Sequence, residues 1–70
     1  MTIKDFRIMC GLSQKELSEA YEIPIRTLQD WEAGRRKPPV YLLKLLFFRM
    51  AFDHPVLQAP FVTWLHTEEN

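Results

Sequence analysis

The chain has a single cysteine, Cys10, and only two glycines, Gly11 and Gly34, among its 70 residues. One thiol excludes an intrachain disulfide and a cysteine-built metal site, and it suits a reducing cytoplasm. Long apolar runs are missing too. The densest, Leu42 to Phe52, is interrupted by Lys44 and Arg49 and falls short of the roughly 18 residues that span a membrane. Lys4, Asp5 and Arg7 stand where a signal peptide would carry its apolar block, so neither export nor membrane insertion is expected. Net charge is also absent: nine Lys plus Arg balance nine Asp plus Glu, which by itself argues against a protein that coats nucleic acid through bulk charge. A chain of this length is expected to bury one small core, with no room for a second, catalytic domain.

What is present is ordered along the chain. Hydrophobic residues make up 47% and charged residues 26%, which places the chain among folding sequences rather than disordered ones. Residues 1–50 hold all nine cations against six acids, a net of +3, whereas 51–70 hold only Asp53, Glu68 and Glu69, a net of −3. Neutrality is therefore the sum of a basic body and an acidic tail.

The glycines and the five prolines cut the sequence into pieces of helical length. No long alternation of apolar and polar residues argues a strand, and the fold class expected is all-α, a bundle of about five short helices. The first helix runs from about Ile3 to Cys10, with Thr2 and Asp5 at capping-box spacing and Ile3, Phe6, Met9 and Cys10 on one side. Ser13 and Glu16 form a second capping box, with Leu12 placed to staple onto Leu17, so the second helix starts at Gln14 and buries Leu17, Ala20 and Tyr21. Glu22 and Ile23 alone separate it from a third pattern that Pro24 opens and Gly34 closes. In that third helix Pro24, Leu28 and Trp31 share the core face, while Arg26, Gln29, Asp30 and Ala33 face away with Ile25 at their edge. A basic loop, Arg35-Arg36-Lys37, precedes a fourth helix from about Pro39 to Ala51.

Two helices joined by a tight turn, the second presenting a polar face, describe a helix-turn-helix, whose second helix enters the DNA major groove. Residues 3–50 resemble the lambda-repressor-like, Cro/Xre-type helix-turn-helix proteins. The likeness is carried by Gly11-Leu-Ser-Gln-Lys-Glu-Leu-Ser18 through Trp31-Glu-Ala-Gly-Arg-Arg-Lys-Pro38. The family's apolar positions fall on Leu17, Tyr21, Ile23, Leu28 and Trp31, and its small position on Ser18. Two positions depart from the pattern. Glu22 stands where the family usually has a turn glycine, and Ile23-Pro24 replaces the usual Ser or Thr cap of the recognition helix.

The resemblance implies double-stranded DNA as partner, with Gln14 touching a phosphate or base and Ile25, Arg26, Gln29 and Asp30 at base-reading positions. Chemically, Arg26 suits guanine O6/N7, Gln29 suits adenine N6/N7, and Ile25 suits a thymine methyl. Thr27 is a phosphate candidate, as are Arg35, Arg36 and Lys37. Asp30 is expected to restrain Arg26 one turn away, with cytosine N4 as the alternative. Taken without the motif, Arg26, Gln29 and Asp30 describe any solvated helix face. Glu32 is read as structural, because some relatives pair it with an arginine at the place of Arg7.

No acid pair, Ser-His arrangement or glycine-rich phosphate loop has motif context, so no enzyme activity and no cofactor are expected. His54 and His66 lie twelve residues apart without neighbouring ligands, and no metal site is expected. Residues 1–52 are read as the helix-turn-helix DNA-binding domain. Residues 53–70 are read as an extension that completes the core, with Asp53 as a possible cap and Pro55 and Pro60 dividing it into two helical pieces. Dimerisation is assigned to Phe52, Leu57, Phe61, Trp64 and Leu65, giving a homodimer on an inverted-repeat operator. The expected function is a small repressor of phage or mobile-element type. Two alternatives stay open: an antitoxin that represses its own operon and binds a toxin protein, and a helix-turn-helix kept only for protein interaction.

Overall fold

Local hydrogen bonding starts the first two helices where the sequence places their caps. The computed structural model describes residues 1–69, and the side chains of Glu68 and Glu69, two of the tail's three acids, lie outside that description together with Asn70. Helix α1 spans Ile3–Met9, and Thr2 and Asp5 exchange side-chain and backbone hydrogen bonds as a capping box. Helix α2 spans Gln14–Ala20 behind the equivalent box of Ser13 and Glu16. Each box satisfies two N–H groups that a helix start leaves orphaned.

Helix α3 spans Ile25–Ala33 and has no side-chain cap, because Pro24 occupies the N-cap position. The turn before it is held from α2 instead. The Ser18 hydroxyl donates to the Ile23 carbonyl, and the Ile23 N–H donates back to the Ser18 carbonyl at 3.0 Å. Glu22 adopts φ 55°, the left-handed conformation that favours glycine, so the turn is made by a residue with a side chain at a conformational cost. Gly34 ends α3 at φ 79°, where a side chain would be strained.

Helix α4 spans Val40–Asp53, starting one residue later and ending two later than the sequence suggests. A 3-10 turn, Pro55–Leu57, leads into α5, Gln58–Glu69. The tail therefore breaks at Leu57 and not at Pro60. Pro60 is the third residue of α5, where its missing N–H removes no helical hydrogen bond. Asp53 is not a cap. It ends α4 and accepts from Tyr21 Oη at 2.8 Å and Arg49 Nε at 3.1 Å, tying the end of α2 to α4.

One core gathers residues from every helix: Ile3 and Phe6 of α1, Leu17 of α2, Leu28 of α3, Phe47, Met50 and Ala51 of α4, then Leu57, Phe61 and Trp64. An aromatic ladder runs through it. Phe6 and Phe47 lie 4.0 Å apart between ring centroids, and Phe47 meets Trp64 edge-on at 4.9 Å, so the tail packs on the same core as the motif. Met9 and Ala20, expected inside, are exposed, as is Pro24. Each stands at the end of a short helix, beyond the reach of the neighbour that covers the middle.

Trp64→Ala is expected to lower stability by about 3–5 kcal/mol, most of what a domain of this size possesses, and loss of cooperative melting by circular dichroism checks it. Glu22→Gly is expected to do the opposite. Relief of about 1 kcal/mol of left-handed strain, less the entropy that glycine adds to the unfolded chain, leaves a gain of up to about 0.5 kcal/mol, measured as a raised urea midpoint.

Candidate nucleic-acid interface

The interface is organised around a charge pair that the core supports. Arg7 on α1 meets Glu32 on α3 in a two-pronged contact, Nε to Oε2 at 2.8 Å and Nη2 to Oε1 at 2.9 Å. The side chains are 12% and 4% exposed. Arg7 Nη1 also donates to the Leu12 carbonyl at 2.9 Å, and Gln14 Nε2 donates to Glu32 Oε1 at 3.2 Å. Burial pushes the Glu32 carboxyl up, but the hydrogen bonds from Arg7 and Gln14 outweigh it and hold the group below its ordinary 4.5. Glu32 is thus the structural residue that the resemblance implies, with Arg7 as its partner.

Gln14, assigned to phosphate or base, is half-buried and committed through its amide nitrogen to Glu32. Its first role is to fix the start of α2 against α3. Ile25, Arg26 and Gln29 are exposed on the outer face of α3. Ile25 and Gln29 share a groove of about 470 Å³ with Gln14, Lys15, Ser18 and Glu19 of α2.

Asp30 does not pair with Arg26. Its Oδ1 accepts from Arg35 Nε at 2.9 Å, because the left-handed turn at Gly34 folds the chain back over the last turn of α3. The backbone N–H of Arg35 reaches the Asp30 carbonyl at 2.9 Å in the same turn. Arg26 is left exposed without this restraint, while Arg35 is drawn to the end of the helix. Arg36 and Lys37 are exposed beside it. Thr27 is half-buried and turned to the other flank, where it lines an apolar groove with Ile23, Trp31 and Leu42. That position removes it from the face that carries Arg26 and Gln29.

Two cations were missed by reasoning from sequence. Lys15 lies in the groove between α2 and α3, and Lys4 lines a second groove, about 380 Å³, with Arg7, Gln14, Gln29 and Arg35. Lys4 stands three residues before Arg7 on one helix face, and that spacing was the available signal.

The five residues assigned to dimerisation separate in the structure. Leu57, Phe61 and Trp64 are buried in the protomer's own core, and Leu65 packs half-buried against it. Committed to that core, they present no apolar face of their own, although Phe61 lines the floor of the groove between α4 and α5. Phe52 alone is exposed, at 74%. His54 is half-buried and His66 exposed. Cys10 is partly covered, and burial pushes its thiol up, which disfavours the thiolate. No helix among the described residues is long and apolar enough to cross a membrane.

The family model described as helix-turn-helix matches residues 3–47 of the chain. No curated protein and no solved structure matches it.

Removing Arg7 leaves the Glu32 carboxylate covered without its cation, and Arg7→Ala is expected to cost on the order of 3 kcal/mol in chemical denaturation. The pair also sets an acid limit. Because the folded carboxyl lies below its ordinary 4.5, its contribution is complete above that pH and is lost as the pH falls through the depressed value. Glu32→Gln is expected to flatten the stability-against-pH curve below about 4.5 in thermal melts.

Proposed function

Because this chain belongs to the Cro/C1-type helix-turn-helix family of DNA-binding regulators, we propose that it reads double-stranded DNA sequence-specifically, as a small homodimeric repressor of phage or mobile-element type acting on an inverted repeat. The observation that carries this reading is the outer face of α3, where Ile25, Arg26 and Gln29 stand exposed while Leu28 anchors the helix in the core and Glu32, on the flank beside Gln29, ties it to α1. A helix fixed on one side and unoccupied on the other presents side chains to a groove without first having to be ordered.

The chemistry divides along the helix. Arg26 offers a fork for guanine O6/N7 and Gln29 an amide for adenine N6/N7, with Ile25 beside them for a thymine methyl. Arg36 and Lys37 follow the helix end, where backbone phosphates flank a docked recognition helix, and Lys15 serves the same purpose from α2. Asp30 acts indirectly by holding Arg35 rather than by accepting from a base. With no net charge on the chain, the sequence-independent term is small, and affinity depends on base contacts and on the union of two half-sites.

Selection of duplexes from a random pool is expected to return an inverted repeat whose half-sites lie one helical turn, or a multiple of it, apart. On the selected site Arg26→Ala and Gln29→Ala are each expected to cost about 1–3 kcal/mol and to relax preference at one position. Arg36→Ala or Lys37→Ala is expected to weaken all sequences alike and to reduce the salt slope by about one. Unchanged affinity and preference in the Arg26→Ala/Gln29→Ala double variant would sink the assignment of this face. Absence of binding at low salt would remove DNA from the function altogether.

A further inference from the structure

Helix α4 carries a row of apolar side chains that its own protomer does not cover. Tyr41, Leu45, Phe48 and Phe52 are 70%, 66%, 63% and 74% exposed. Their spacing of four, three and four residues puts them on one face, turned away from the Phe47 and Met50 that fill the core, with Ala51 between the two. The tail covers the core side and reaches the row only at its edge, where Phe61 meets Phe48 edge-on at 6.1 Å between ring centroids. The row is a ridge with an apolar groove on each flank. One groove, about 410 Å³, lies between α4 and the turn of the motif, with Leu45 on its wall beside Leu42 and Trp31. The other, about 350 Å³, lies between α4 and α5, with Phe48 and Phe52 on its wall facing Phe61 and Val62.

We infer that this row is the seam of an antiparallel homodimer in which α4 packs on α4 of a second copy. The inference rests on the dimer in the reading above and supplies the surface that the tail does not.

Three observations favour a second copy as the occupant. The first is symmetry. Tyr41 and Phe52 are equidistant from the midpoint between Leu46 and Phe47, and so are Leu45 and Phe48. A two-fold axis at that midpoint pairs Tyr41 with Phe52 and Leu45 with Phe48 across the seam, which is the self-complementarity an isologous contact requires. Ridges flanked by grooves let each copy's row enter the other's groove.

The second is charge. Arg49 beside the row is paired with Asp53 on the same helix, and its guanidinium carbon sits 5.9 Å from the Phe52 ring centroid. That cation is compensated within the protomer, so an identical surface does not meet it as a bare like charge, and a strongly charged partner would find little here to recognise. The third is area. Three aromatic rings and a leucine exposed to this degree present on the order of 500 Å². With the groove walls, that approaches the roughly 800 Å² per partner of a stable interface, and the row alone stands at the upper end of the roughly 300–600 Å² that the largest apolar patch of a monomer presents, a size at which such patches mark interaction sites.

Sedimentation equilibrium over a concentration series, without DNA, tests the seam. The wild-type chain is expected to reach twice its 8.4 kDa mass. Leu45→Glu/Phe48→Glu is expected to weaken association by at least ~100-fold, since four carboxylates then crowd the axis, with helical circular dichroism retained because both positions are exposed. Orientation is read by disulfide trapping in a Cys10→Ser background. Mixed Leu45→Cys and Phe48→Cys chains are expected to crosslink to one another several-fold faster than either does to itself. A dimer that survives the glutamates, or self-crosslinking that outpaces the mixture, overturns the seam and leaves the dimer standing. A wild-type chain at single mass throughout, or one that copurifies with a different protein on this face, overturns both. DNA binding is measured separately at low salt, where each protomer retains its phosphate contacts, so failure there is distinguishable from failure of the seam.

Discussion

The contact between Arg7 and Glu32 is the constraint from which the arrangement of the first three helices follows. A charge pair taken largely out of water carries a desolvation cost that Coulomb attraction alone does not offset, so it persists only where further hydrogen bonds satisfy both groups. Here four do so, two between the ions, one from Arg7 to the Leu12 carbonyl and one from Gln14 to Glu32. Those bonds join α1, the loop after it, α2 and α3. Because α1 and α2 are only seven residues each, neither is stable by itself, and the pair specifies the one relative placement in which all four bonds form at once.

With that side of α3 fixed, its entry needs less local support. Pro24 provides no capping oxygen, and Glu22 must hold a left-handed backbone without the freedom of glycine. Both are costs of about 1 kcal/mol. Ser18 answers them by bonding across the turn to Ile23, which is possible because a small side chain at that position lets α3 approach α2. Gly34 performs the complementary task at the far end. It folds Arg35 back onto Asp30, so the basic loop starts from a defined point instead of trailing into solvent.

The parts of this that were legible in sequence are those set by short-range chemistry. Thr2 with Asp5, Ser13 with Glu16, and the stops at Gly11 and Gly34 each depend on residues within a few positions, and the structure has them as read. The pairing of Arg7 with Glu32 crosses 25 residues and was available only through the resemblance. Asp30 shows where local spacing misleads. Arg26 stands four residues before it, an ordinary helical pairing distance, but the competing partner arrives through a chain reversal that spacing does not describe. The tail shows the same limit. Leu57, Phe61 and Trp64 read as apolar residues in search of a surface, and periodicity cannot say whether that surface belongs to the same protomer or another. The apolar residues left uncovered are instead Tyr41, Leu45, Phe48 and Phe52 on α4 itself.

Neutral charge and an uncovered ridge bear on each other. A chain without net charge gains little from the phosphate backbone in general, so one recognition helix on one protomer gives weak binding, whatever its base contacts. In the dimer proposed above, joining two protomers through α4 would double the reading surface, and the two-fold relation would match that surface to an inverted repeat. The same union removes from water the apolar area that a 70-residue core cannot enclose, so association also stabilises the fold by mass action. Under that proposal stability and DNA affinity would rise together with protein concentration. For a regulator the proposed seam would give a threshold: below the concentration at which it forms, the protomer would be both less stable and a poor reader of its site, and above it one contact would remove both deficits.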